Sequence, residues 1–137
     1  MKRMPAEPAQ RGDLDVFEYA LLRVVPHIER GESINAGVLV YCRARSYLGA
    51  RTHLDEDRLF ALDPCADVRG VRAALHAVEC VCGGGARAGQ AAGDDVGRRF
   101  RWLVAPRSTV VQPGPVHTGL TADPEAESER LLDLLVR

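Results

Sequence analysis

Gly31-Glu32-Ser33-Ile34-Asn35-Ala36-Gly37-Val38-Leu39-Val40-Tyr41 is a polar turn that runs without a break into a strongly apolar strand. Alternation over Ile34 to Arg43 sets Asn35, Gly37, Leu39 and Tyr41 on one face and Ile34, Ala36, Val38, Val40 and Cys42 on the other. The second set is the expected core face, and Glu32 and Asn35 stand at the mouth of the strand. Upstream, Val16 to Val25 mixes aromatic and branched residues and stops at Pro26, which predicts a first strand, with helix the competing reading for its middle. Downstream, Ala44-Arg45-Ser46 reads as a turn into a third strand, Tyr47 to Thr52. The three predict an antiparallel meander with short connections.

Helical signals follow. Asp55 precedes Glu56 to Leu62 as a capping residue with acidic neighbours, and Pro64 closes that short helix. Val68, Val71, Ala74, Leu75, Val78 and Val81 recur at three- and four-residue spacing, predicting a longer helix over Ala66 to Val81, terminated by Gly83-Gly84-Gly85. Asp94 or Asp95 caps a further short helix through Leu103, although the alternation of Arg98, Arg99 and Arg101 with Phe100 and Trp102 also suits a strand. Ser108 to Gln112 and Val116 to Leu120 read as short strands separated by a turn at Gln112-Pro113-Gly114-Pro115. Asp123-Pro124 opens a terminal helix carrying Leu131, Leu132, Leu134, Leu135 and Val136. The element order predicts an α+β domain: a meander, a helical insertion, a later strand pair and a closing C-terminal helix.

At 137 residues, 46% of them hydrophobic, the chain suits one domain with a real core. Residues 1–14, rich in Pro, Ala and charge, read as a flexible leader, residues 15–137 as the domain, and the Gly/Ala-rich stretch near 83–93 as a mobile connector without the features of a phosphate-binding loop. A net charge of −1 supplies no excess of positive charge for a phosphate backbone, so nucleic acid is not the expected partner. No window approaches the roughly 20 apolar residues of a membrane-spanning helix, and the simplest expectation is a cytoplasmic location. Four cysteines, at 42, 65, 80 and 82, are expected to be reduced. Cys80 and Cys82 project about 200° apart on an ideal helix, His76 lies four residues before Cys80, and neither spacing makes a metal site. No cofactor is expected.

Arg23, Glu32, Asn35, Arg107, Ser108, Thr109, Gln112 and His117 are the polar residues in or beside strands that are candidates for a site. Arg23 and Glu32 flank the first connection and are placed to close it as an ion pair, while Asn35 and Gly37 suit fixing the backbone at the strand entrance. Pro106-Arg107-Ser108-Thr109 offers a guanidinium and hydroxyls to an anion, and His117 offers an acid, a base or a phosphate-orienting group. Ser and Thr also satisfy local backbone groups, which is the structural account of the same residues.

Tyr19-Ala20-Leu21-Leu22-Arg23-Val24-Val25-Pro26 with Gly31 to Leu39, and later Ala105 to Gln112 with Pro115-Val116-His117-Thr118-Gly119, resemble two motifs of the small bacterial proteins catalogued as domain-of-unknown-function family 3037. Some members of that family are encoded beside HipA-like kinases, so the resemblance implies an accessory or regulatory role. This chain has no kinase glycine loop or catalytic-loop signature of its own. Two functional readings stand beside a purely structural one, in which the motif residues only stabilise turns. One is an interaction module that binds a protein partner, such as a HipA-like kinase, through a sheet edge or the surface around the two motifs. The other is a small enzyme acting on a phosphorylated or otherwise anionic small molecule, with Arg23 and Arg107 orienting it, His117 as acid or base and Glu32 as the orienter of His117.

Overall fold

The computed structural model describes residues 13–83 and 95–137. The connector expected near 83–93 therefore lies outside the described residues except for Gly83, as does the leader except for Asp13 and Leu14. Three strands open the domain: β1 (Asp15–Val24), β2 (Ile34–Cys42) and β3 (Tyr47–Thr52). They pair as the expected meander, antiparallel in the order β3-β2-β1. A 3-10 turn at Arg43–Arg45 joins β2 to β3, with Ser46 following at a left-handed φ of 48°.

Helices α1 (Glu56–Leu62), α2 (Val68–Gly83) and α3 (Val96–Leu103) come next. Asp55 and Asp95 cap α1 and α3 by accepting from the backbone amides of Arg58 and Arg98. The cap sets α3 as a helix, because burial of Phe100 and Leu103 needs three-residue spacing and leaves the arginines outside. Leu59, Val71, Leu75, Phe100 and Leu103 then pack on Leu22, Val24, Leu39 and Tyr41, so all three helices cover one face of the sheet.

The two later strands are β4 (Val111–Pro113) and β5 (His117–Thr121). Both run antiparallel to β1 along the same side of it, β4 against Leu22 to Val24 and β5 against Asp15 to Tyr19. The turn expected at Gln112 to Pro115 therefore does not reverse the chain. Gly114 N–H donates to Leu21 O at 2.8 Å, which carries the ladder across the interruption left by Pro113 and Pro115. The last helix, α4 (Pro124–Leu135), lies on the other face, where Leu131, Leu132 and Val136 meet Phe17, Val38, Val40 and Cys42.

Helices on both faces extend the core beyond the expected face of β2, since Ala36 to Cys42 are buried throughout. A continuous apolar run is the mark of a strand covered on both sides. Alternation is also broken. Arg23 pairs with Asn35 and Leu22 with Gly37, so Ala36 is an extra residue in β2. The bulge turns Ile34 and Ala36 toward the three-helix face, whereas Val38, Val40 and Cys42 face α4.

α4 is tied down at both ends. Asp123 accepts from Glu125 N and Ala126 N at 3.1 and 3.2 Å, with Pro124 at the first position. At its far end Asn35 Nδ2 donates to Leu135 O and an Arg58 nitrogen to Val136 O, both at 3.1 Å. Between them Arg51 of β3 donates to Ser128 at 2.8 Å and reaches Glu129 at 3.0 Å. Removing the N-terminal cap with Asp123→Ala is expected to lower stability by about 1 kcal/mol, read as a shift of the urea unfolding midpoint at constant slope.

Candidate functional site

β1 is the axis on which most of the candidate residues sit. Its odd-numbered residues face α4: Phe17 is in the α4 core, and Tyr19 and Leu21 pack beside it. Arg23 continues that face, and register places Asn35 of β2 and Gln112 of β4 directly across from it on either side. Asn35, Arg23 and Gln112 thus form one transverse row, because residues directly opposite in a sheet share a face. His117 is across from Tyr19, with the two rings 5.2 Å apart.

α4 lies over β2 and β3, leaving the β1, β4 and β5 side of this face partly open; Tyr19, Leu21, Arg23 and Gln112 are half-buried and His117 is exposed. Arg23 lies flat against Gly114, where an added Cβ would sit 3.2 Å from its Cζ. Arg23 has no carboxylate partner among the described residues. Asn35 has spent its amide on Leu135 O, so its place in the row is structural.

The remaining candidates are elsewhere. Glu32 pairs with Arg30 at 2.5 Å, which lowers its carboxyl below the usual range, and the expected Arg23–Glu32 pair is replaced by this local one. Arg30 and Glu32, two residues apart, reach each other without spanning the β1–β2 connection. Glu32 also lies beyond the Val24 end of β1, whereas His117 is opposite Tyr19, about 16 Å back along the strand. The structure does not bring this pair together.

Arg107 sits on the three-helix side. Its guanidinium lies 4.9 Å from the Trp102 ring centroid and donates to Trp102 O. Thr109 Oγ1 donates to Val111 O at 2.7 Å, the local backbone bond that competes with a ligand role, and Ser108 is exposed beside it. Arg107, Ser108 and Thr109 therefore do not join the Arg23 row. The four cysteines are free; Cys80 Sγ is 3.5 Å from His76 Nε2, and burial pushes the Cys82 thiol up to about 12.

The outer edge of β5 is a second feature, one that the residues alone did not single out. Gly114 N bonds Leu21 O and Val25 N bonds Val110 O, so odd residues of β1 turn their peptide groups toward β4 and β5. Alternation then directs the peptide groups of Thr118 and Leu120 outward. Val16 and Leu120, a cross-strand pair on the three-helix face, stand 60% and 54% exposed. Beside them a depression of about 980 Å³ is lined by Glu18, Tyr41, Arg43, Arg98, Arg101 and Thr118 among others. The opposite edge strand, β3, is flanked by both α2 and α4.

Among the described residues no helix is long and apolar enough to cross a membrane. No curated protein and no solved structure matches the chain. A family model described as "Protein of unknown function (DUF3037)" matches residues 19–136, which run from the first motif through α4. The chain accordingly belongs to the DUF3037 family.

Proposed function

We propose that this protein is an interaction module that takes an extended segment of a protein partner onto the free edge of β5. The observation that carries the reading is the outward set of peptide groups at Thr118 and Leu120, bordered by exposed Val16 and Leu120. Main-chain hydrogen bonds to such an edge supply affinity, and neighbouring apolar side chains supply selectivity. β5 has none of the charged residues that commonly guard an edge strand, whereas Pro113 and Pro115 interrupt the strand ahead of it. The family resemblance implies relatives encoded beside HipA-like kinases, which makes such a kinase the first partner to test.

The enzyme reading has less to stand on. His117 meets an aromatic ring, Glu32 is remote and engaged with Arg30, and no acid–base pair forms from the candidate residues.

Calorimetric titration of a purified HipA-like kinase from the same genome tests the proposal. Binding at micromolar concentration is expected, with Thr118→Pro and Leu120→Pro each weakening it at least about tenfold while the circular dichroism melt is retained. Proline removes an outward donor at these positions and leaves the β1 ladder in place. Equal binding by both folded variants moves the interface off this edge, and no binding by the parent protein removes the kinase as partner.

A further inference from the structure

We infer that the Arg23 row on the α4 face is a binding site for a small organic oxyanion, a carboxylate or phosphate monoester carrying a flat apolar body. Most arginines in the sheet and helices have acidic partners: Arg45 with Asp15, Arg51 with Glu129, Arg101 with Glu18, Arg130 with Glu127. Arg43, Arg69 and Arg98 have no carboxylate partner among the described residues, but they are exposed and water satisfies them. Arg23 is half-buried and equally unpaired. Its nitrogens still reach solvent, and an oxyanion that accepts two of its parallel N–H bonds supplies the counter-charge that no described carboxylate gives.

The surroundings select the class of ligand. Gly114 leaves room for the guanidinium to lie flat against the backbone, fixing the plane of the fork. Gln112, directly across from Arg23, brings a side-chain amide to the same row. Gly114 is bonded to Leu21, so the guanidinium reaches along β1 toward Leu21, and beyond that lies the Tyr19–His117 ring pair. Charge is thus anchored at one end of a half-open strip whose other end is aromatic. A planar ring bearing an anionic group fits both ends, whereas an inorganic ion uses only one.

This site is on the face opposite Val16 and exposed Leu120, so its fate is separate from that of the β5 edge. The test is a titration of the isotopically labelled full chain with benzoate, phenyl phosphate, acetate and inorganic phosphate at constant ionic strength, followed by amide and arginine Nε chemical shifts. Saturable shifts at Arg23, Gln112 and His117 are expected with one or both aromatic anions, at least about tenfold tighter than with the matching simple anion. Preference for benzoate or for phenyl phosphate assigns the head group. Arg23→Gln is expected to weaken binding at least about tenfold. Gly114→Ala, which keeps the charge but crowds the fork, weakens it too, and Arg43→Gln on the other face leaves it unchanged. Shifts that stay linear in ligand, or that survive in folded Arg23→Gln and Gly114→Ala, overturn the assignment.

Discussion

Phe100→Ala is expected to remove about 3–5 kcal/mol of stability, a large part of the roughly 5–15 kcal/mol that a domain of this kind possesses. Phe100 is 0% exposed and stacks on Tyr41 with ring centroids 5.0 Å apart. Tyr41 belongs to β2, so the ring joins α3 to the middle of the sheet. Arg101 lies over the same ring, 5.2 Å from its centroid, and reaches Glu18 of β1 at 2.9 Å. Truncation to alanine leaves a cavity that this short helix can close only by shifting against β2. Urea unfolding followed by tryptophan fluorescence at Trp102 and by far-ultraviolet circular dichroism reads the outcome. Coincident transitions with a midpoint lowered by the full amount are expected. A loss below about 1.5 kcal/mol, with the fluorescence transition separating from the other, would show that α3 undocks by itself and is not part of the cooperative core.

The sequence made the elements legible where local chemistry sets them. Asp55, Asp95 and Asp123 each cap a helix, and the position of Pro124 sets the start of α4. The meander follows from short connections between apolar runs. What the pattern could not display were the long-range facts. Whether one or both faces of β2 are covered depends on where α1 to α3 and α4 return to the sheet. The bulge at Ala36 depends on the register against Leu22 and Arg23. The line taken by β4 and β5 along β1 depends on a bond from Gly114 to Leu21. Prolines on both sides of Gly114 suggest reversal locally, yet the same residues serve an edge strand that is interrupted without reversing.

The candidate residues divide for a related reason. Arg23, Asn35, Gln112 and His117 come from two stretches far apart in the chain, and β1 collects them on one face. Glu32 and Arg107 offer the same kind of chemistry but have neighbours that engage them locally: Arg30 two residues away for one, the Trp102 ring and carbonyl for the other. Residue type identifies what a group can do, and strand register decides with whom it can do it. Tyr19 and Gly114 lacked a chemical signal of their own; one is the partner of His117 and the other the floor under Arg23.

Gly37→Val separates local propensity from tertiary packing by the sign of its effect. In Ile-Asn-Ala-Gly-Val-Leu-Val, valine at position 37 improves the intrinsic fit to a strand, and a propensity argument expects a gain. The structure expects a loss of about 3 kcal/mol or more. A Cβ at position 37 would stand 2.8 Å from the Arg51 backbone oxygen, 3.1 Å from Leu22 Cδ1 and 3.2 Å from Thr52 Cγ2. Leu22 is able to rotate, but the Arg51 carbonyl belongs to the β2–β3 ladder, and moving it disturbs the strand that also holds α4 through Ser128 and Glu129. Gly37→Ala meets the first contact with a single methyl and is expected to lose about 1–3 kcal/mol; the two further methyls of valine must also enter the space filled by Leu22 and Thr52. Urea midpoints in the order glycine, alanine, valine, falling at each step, are the expected result. A valine protein as stable as the parent would mean that β3 yields at Arg51, and that the bulge at Ala36 and Gly37 is not fixed by close approach of the two strands.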